Sequence, residues 1–270
     1  MNKKVFKRAV LVSAILTAGC DQSVDSTAEI VLPNKNPFPS TYAVPANPIF
    51  ALVDADILTG DGAEMTGTDL LIEGGKIIAM GVDLELPEGT HTIDMSGQWL
   101  TPGLIDVHSH MGVYPAPATF NHEDGNEMTA PVTAQVWAEH SVWPEDPQFE
   151  KALAGGVTTL QILPGSGNLI GGRGVTLKNI PALTVQGMKF PDAPYSLKMA
   201  CGENPKGYYG SLGMLPSTRM GNMAGYRAAW IEATDYKKSW DDYIADVSAG
   251  EELDPPTRDL GLETLAGVLE

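Results

Sequence analysis

The chain has 270 residues, 43% of them hydrophobic and 19% charged, enough apolar sequence to bury a sizeable core. Acidic residues outnumber basic ones 34 to 17, a formal net charge of −17. That balance excludes nucleic acid as a partner, because phosphate binding needs a basic footprint, and reads as the solubilising surface of an acidic globular protein.

Residues 1–19 read as an export signal. Lys3, Lys4, Lys7 and Arg8 form a basic head, an apolar run from Ala9 to Leu16 follows, and small residues lead to Cys20. The run is too short to remain as a membrane-spanning helix. Leu16-Thr17-Ala18-Gly19-Cys20 resembles a bacterial lipobox, whose cysteine becomes the lipidated first residue of the mature protein. The alternative is an ordinary cleaved signal with an incidental cysteine. Cys20 is therefore the expected lipidation site, and the mature protein is expected at a membrane, facing the periplasm or cell exterior. Asp21 resembles an inner-membrane retention signal. Loss of residues 1–19 removes four basic and no acidic residues, leaving 13 against 34 and a net charge of −21. With Cys20 carrying lipid, Cys201 has no cysteine partner and no disulfide framework is available.

Residues 20–46 are polar and proline-bearing without periodicity, and read as a tether. From residue 47 to 98 the texture changes to short β-type runs: Ile49 to Val53, Leu70 to Ile72, and Lys76 to Met80. Thr59-Gly60-Asp61-Gly62, Glu73-Gly74-Gly75 and Pro87-Glu88-Gly89 separate them as turns, and the pattern predicts a small sheet or sandwich. His91 stands alone there as a surface or sheet residue.

Residues 99–270 alternate strand and helix signals, which implies parallel β/α units. Leu100 to Val107 reads as a buried strand ending in His108-Ser109-His110. Val132 to Val142 reads as helical, Pro147 to Ala154 more strongly so, with Gly155-Gly156 closing that helix. Val157 to Leu163 is a second buried strand. Further strands are predicted at Val175–Lys178 and Tyr195–Ala200, and helices at Thr218–Val247 and Leu260–Glu270. The glycine-rich run from Gly165 to Gly174 imitates a nucleotide loop. It lacks the lysine-serine pair of a P-loop and an acid-ended βαβ unit, so it reads as a loop over the mouth of the fold.

His108 and His110 carry the chemistry. Residues two apart on a strand project to one side, where two imidazoles can hold one metal ion. A lone H-x-H also occurs on ordinary strand ends, so the context decides. The run TPGLIDVHSHMG resembles the first barrel strand of the amidohydrolase superfamily. DADILTGDG and IEGGKI resemble its N-terminal β-sandwich, and AGGVTT its second strand entry, in the same order. Within that superfamily the chain resembles the imidazolonepropionase-like branch, which includes prolidase-related dipeptidases.

The resemblance implies an α/β fold: a β-sandwich segment over residues 47–98, and an incomplete TIM-type (β/α)8 barrel over 99–270. It implies His108 and His110 as metal ligands, and Lys198, within SLKMACG, as a carboxylated lysine bridging two metals; otherwise Lys198 is a strand-edge lysine and the site holds one ion. The cofactor implied is a divalent metal, zinc first, with manganese or iron also suited. The reaction implied is hydrolysis of a C–N bond in a small cyclic amide, amide or dipeptide. Asp106 orients a ligand or makes a structural hydrogen bond. His122, with Glu123 and Asp124, and Arg173 are candidate substrate contacts; His140 is expected to pack or face solvent.

At about 31 residues per unit, the barrel region holds roughly four of eight units. No histidine follows His140, and no general base is identifiable. The expectation is a truncated product with an open parallel edge and poor stability alone, completed by a C-terminal half. The competing reading is an inactive lipid-anchored binding or structural remnant of the same fold.

Overall fold

The computed structural model describes residues 30–270. The export signal, Cys20 and Asp21 lie outside the described residues. Residues 30–49 hold no helix or strand, and they are fastened to the body. Thr41 N–H donates to Gln186 O at 2.9 Å, and Ser40 Oγ donates to Lys189 O at 2.6 Å. Among the described residues no helix is long and apolar enough to cross a membrane.

Turn chemistry builds the first sheet. Strands β1 (Phe50–Leu58), β2 (Glu64–Glu73) and β3 (Lys76–Gly81) run antiparallel. Gly74 and Gly75 join β2 to β3 with φ of +57° and +75°, the left-handed pair that a two-residue hairpin turn requires. β4 (His91–Asp94) and β5 (Trp99–Leu100) lie parallel to β1. All five strands belong to one sheet, with a small core of Ala55, Ile57 and Leu70. The strands expected of this region are present, but they form one layer among themselves. His91 is exposed on β4, in keeping with a sheet residue.

The second sheet has the order β6-β7-β8-β9. β6 (Leu104–Ser109), α1 (Pro147–Ala154) and β7 (Val157–Ile162) form one parallel β/α unit. The alternation predicted parallel units throughout, but β8 (Ile170–Lys178) returns antiparallel to β7, and β9 (Ser196–Met199) antiparallel to β8. The reason is length. Residues 163–169 join β7 to β8, far fewer than the dozen or more a parallel crossover needs.

Two further expectations are corrected here. The glycine-rich run is not all loop, because β8 begins at Ile170 inside it. Gly172, at φ +106°, lets the strand lie against the backbone of Val136, where a Cβ would collide with the carbonyl oxygen. The segment Val132–Val142 is not a helix apart from a 3₁₀ turn at Ala138–His140. Val132 and Trp137 instead bridge to Ile170 and Arg173, so β8 takes its backbone groups.

The pairs Leu160–Leu177 and Ile162–Val175 share one sheet face and are buried with Phe149 and Met188. Helices α2 (Val185–Met188), α3 (Glu203–Ser211), α4 (Arg219–Ser248) and α5 (Leu260–Ala266) complete the chain. Tyr226, Ala229 and Ala233 of α4 and Leu265 of α5 bury against Leu169 and Ile170. Thr218 and Asp259 cap these two helices by accepting from Gly221 N–H and Leu262 N–H.

β6, predicted as buried, is instead an edge. Leu104, Ile105 and Val107 are 57%, 66% and 68% exposed, because among the described residues only β7 flanks the strand.

Candidate metal centre

The centre forms where β6 ends. Ser109 turns inward and is buried, while His108 and His110 project beyond it with ring centroids 5.2 Å apart, edge to face. Asp106 accepts from the backbone N–H of His108 at 3.0 Å, so its role is the structural hydrogen bond and not orientation of an imidazole. His110 is held differently. Its Nδ1 lies 2.8 Å from Leu163 O. A carbonyl only accepts, so Nδ1 carries the hydrogen and Nε2 keeps its lone pair. Leu163 N–H donates back to Ser109 O at 2.9 Å, locking the ends of β6 and β7 together.

β9 delivers Lys198 to the same place, with Nζ 3.1 Å from His108 Nε2. Three strand spacings separate β6 from β9, roughly 14 Å on a flat sheet. Side chains rising perpendicular from a flat sheet would not meet, so this face is concave. Gly172, opposite Lys198 on β8, has no side chain in the way.

Lys198 is buried, and among the described residues no carboxylate forms a salt bridge with it. Burial holds its amine below the usual lysine range. The charge of Lys198 holds His108 below its ordinary value, helped by burial and His110 and opposed by Asp106. Among the described residues no group of three or more His, Cys, Asp or Glu side chains is placed so that it could hold a metal ion. The donor set is two imidazoles and one buried amine. Lone pairs at His108 Nε2 and His110 Nε2 fit a divalent cation. Lys198 fits beside a cation as a neutral amine or carbamate, and burial without a counter-ion favours the neutral amine.

The other candidates lie elsewhere. His122 is exposed, packs its ring on Trp143 at 5.4 Å and borders a hollow of about 190 Å³ with Asp124. It makes no hydrogen bond or ring contact with His108, His110 or Lys198. Arg173 pairs with Leu197 across β8 and β9, so it occupies the sheet face opposite Lys198. The structure therefore does not bring Arg173 to the histidines. His140 stacks on Trp137 at 5.5 Å, the packing role expected of it.

Asp146 is a positioning residue that sequence reasoning missed. Almost fully buried, it caps α1 through Gln148 N–H and also accepts from Gly112 N–H at 2.9 Å and Ala116 N–H at 3.2 Å. One carboxylate thus pins the loop leaving His110 to the helix that feeds β7. An aspartate before a proline was a legible helix cap, but its second set of bonds spans 30 and more residues and has no local signal.

Similarity to known proteins places the chain in the amidohydrolase superfamily. Amidohydrolase tasK of Hapsidospora irregularis is 34% identical over 237 residues, covering 82% of this chain and 24% of that protein. A crystal structure of an amidohydrolase from Thermotoga maritima MSB8 matches with a TM-score of 0.73 and 36% identity, over 82% of this chain and 55% of that one. Imidazolonepropionase of Colwellia psychrerythraea is 29% identical over 164 residues, 51% of this chain and 38% of that protein. The chain thus spans between about a quarter and about half the length of these relatives. No family model matches it.

Proposed function

We propose that this chain supplies the first-strand metal clamp of a hydrolase that cleaves C–N bonds in a small cyclic amide, amide or dipeptide. The observation that carries the reading is the approach of buried Lys198 Nζ to within 3.1 Å of His108 Nε2. Relatives named amidohydrolase and imidazolonepropionase support the reaction class.

In this reading His108 and His110 hold a divalent cation, zinc first, through their Nε2 atoms. Leu163 O fixes the tautomer and tilt of His110, and Asp106 fixes the backbone that carries His108. Burial favours the uncharged form of Lys198 Nζ; in that form it would add to the carbon of CO₂ and lose one proton, giving a carbamate to share the cation with the two imidazoles. The bound cation supplies Lewis acidity toward the scissile carbonyl and lowers the pKa of the attacking water. The carboxylate of Asp106 is engaged by the backbone N–H of His108 and is given no part in moving that proton, so the clamp is the part of the reaction assigned to this chain. The concave face and the parallel β6-α1-β7 unit support residues 99–270 as the opening of a TIM-type barrel, with residues 47–98 as part of a β-sandwich. Export and a lipid anchor at Cys20 belong to the same proposal and rest on the sequence of residues 1–20.

Metal content tests it. After equilibration with zinc and removal of free ion, the wild-type chain retains zinc and the His108→Ala/His110→Ala variant does not. Equal zinc in both would sink the assignment. With ¹³C-bicarbonate, a carbamate resonance is expected in the wild type and absent in Lys198→Arg.

A further inference from the structure

The sheet face opposite the histidines borders a cavity of about 760 Å³, between β8–β9, the segment Leu32–Phe38, and helices α4 and α5. That volume is in the range of pockets that enclose small organic ligands. Arg173 reaches into it from β8. Its guanidinium lies 4.3 Å over the ring of Trp137 and 5.3 Å from that of Tyr195. Its Nε donates to Thr264 Oγ1 at 3.0 Å. These contacts fix the plane of the guanidinium and engage one of its edges, while its two terminal nitrogens have no hydrogen-bond partner among the described residues.

Charge accounting separates Arg173 from its neighbours. The other Lys and Arg side chains on the wall, Lys35, Lys237 and Arg258, each pair with a carboxylate: Glu270, Asp241 and Glu263. Among the described residues Arg173 has no carboxylate within salt-bridge distance, in a chain where acids outnumber bases two to one. Burial opposes the charge of Arg173 more strongly than Glu263 and Glu139 favour it from beyond salt-bridge distance, so a group that met the two terminal nitrogens directly would complete a partly desolvated cation. Leu197, Trp240 and Ile244 give the rest of the wall an apolar character.

We propose that this cavity is a second ligand site, separate from the metal clamp, for a small organic carboxylate. Its carboxylate engages the terminal nitrogens of Arg173 side by side, in the planar fork geometry that guanidinium and carboxylate share. Its apolar body lies along Leu197, Trp240 and Ile244. The site goes beyond the hydrolase reading, because β9 turns Leu197 and Lys198 to opposite faces of the sheet.

The probe is 3-phenylpropionate, titrated into the full chain while the fluorescence of its tryptophans is followed, with 3-phenylpropionamide as the neutral isostere. Saturable quenching by the acid is expected, with the amide tenfold weaker or worse, as loss of charge-assisted hydrogen bonds dictates. Arg173→Met should weaken the acid at least tenfold and leave the amide unchanged. His108→Ala/His110→Ala should bind the acid within twofold of wild type, which separates this site from the metal reading. Equal binding of acid and amide by the wild type overturns the proposal without recourse to any variant. So does an Arg173→Met chain, folded by circular dichroism, that binds the acid normally, or an acid that shows no saturation.

Discussion

Lys198 Nζ and His108 Nε2 stand 3.1 Å apart with no carboxylate bridging them. Two groups that each take up a proton share one small space, so protonating either disfavours protonating the other. In the metal-free chain His108 is held below its ordinary value chiefly by Lys198. Replacing the amine with an apolar chain of similar length, Lys198→Met, should move the ring titration of His108 upward, read by NMR. An unchanged midpoint would mean the contact does not exist in solution.

The same shift has a consequence for stability. Because His108 is harder to protonate when folded, the unfolded chain binds more protons once pH falls below the ordinary histidine value of about 6.5. The contribution is therefore intact above that value and lost as pH drops through it toward the lower folded pKa. Metal-free wild type should lose stability on acidification in this window, with a shallower slope for Lys198→Met in urea titrations. The effect is modest because the His108 ring is solvent-screened. Identical slopes would contradict it.

Zinc should raise the unfolding midpoint of the wild type, since an ion bound only by the folded state stabilises by mass action. At free zinc one hundred times its dissociation constant the gain is about 2.7 kcal/mol. His108→Ala/His110→Ala should show none of this gain, and Lys198→Met a reduced one. A zinc-induced shift of equal size in all three, by differential scanning calorimetry, would place the ion elsewhere.

Asp146→Ala should be the most damaging single change near the centre. It removes a helix cap, worth about 1 kcal/mol, and strips partners from Gly112 N–H, Ala116 N–H and Gln148 N–H. Of these, the bond to Gly112 N–H is fully buried, and that amide left unpaired costs about 1–3 kcal/mol, so with the cap a total loss of roughly 2–4 kcal/mol is expected in denaturant titrations. Zinc retention should fall as well, because the loop leaving His110 loses its anchor. A loss under about 1 kcal/mol would mean that Asp146 is only a cap.

These residues mark where the sequence was legible. The strand ending in His-Ser-His, the capped helix at Pro147–Ala154 and the paired glycines at 74 and 75 are local signals, and the structure contains all three. The meeting of Lys198 with His108 spans 90 residues and was anticipated through family resemblance, not spacing. The direction of β8 was misread because strand propensity carries no sign; only the length of residues 163–169 bears on it. The segment at Val132–Val142 was misread because β8 competes for its backbone through Thr133 and Val136, whose bonds to Ile170 and Arg173 have no local trace. Exposure of β6 was invisible for a similar reason: an apolar run looks the same at an edge as in the middle of a sheet.

The last prediction concerns the segment before the first sheet. Lys189 and Glu139 form an ion pair of 2.8 Å with both side chains nearly or fully buried. Lys189 Nζ also donates to Phe38 O at 2.6 Å and to the Tyr195 hydroxyl, so one ammonium ties residues 36–40 to the second sheet. Burial and the adjacent Glu139 carboxylate hold the Tyr195 phenol well above its usual range, so it stays a neutral hydrogen-bonding group and cannot replace the cation. Lys189→Met should strand Glu139 as a buried charge and cost about 3–5 kcal/mol. Adding Glu139→Gln should return part of that loss by removing the stranded charge, but it cannot restore the bond to Phe38 O. The double variant should therefore be more stable than the single one and yet expose residues 30–46 to limited proteolysis more than wild type does. If the double variant is cut no faster than wild type, the segment is held by Ser40 and Thr41 alone, and Lys189 serves only its partner on the 3₁₀ turn.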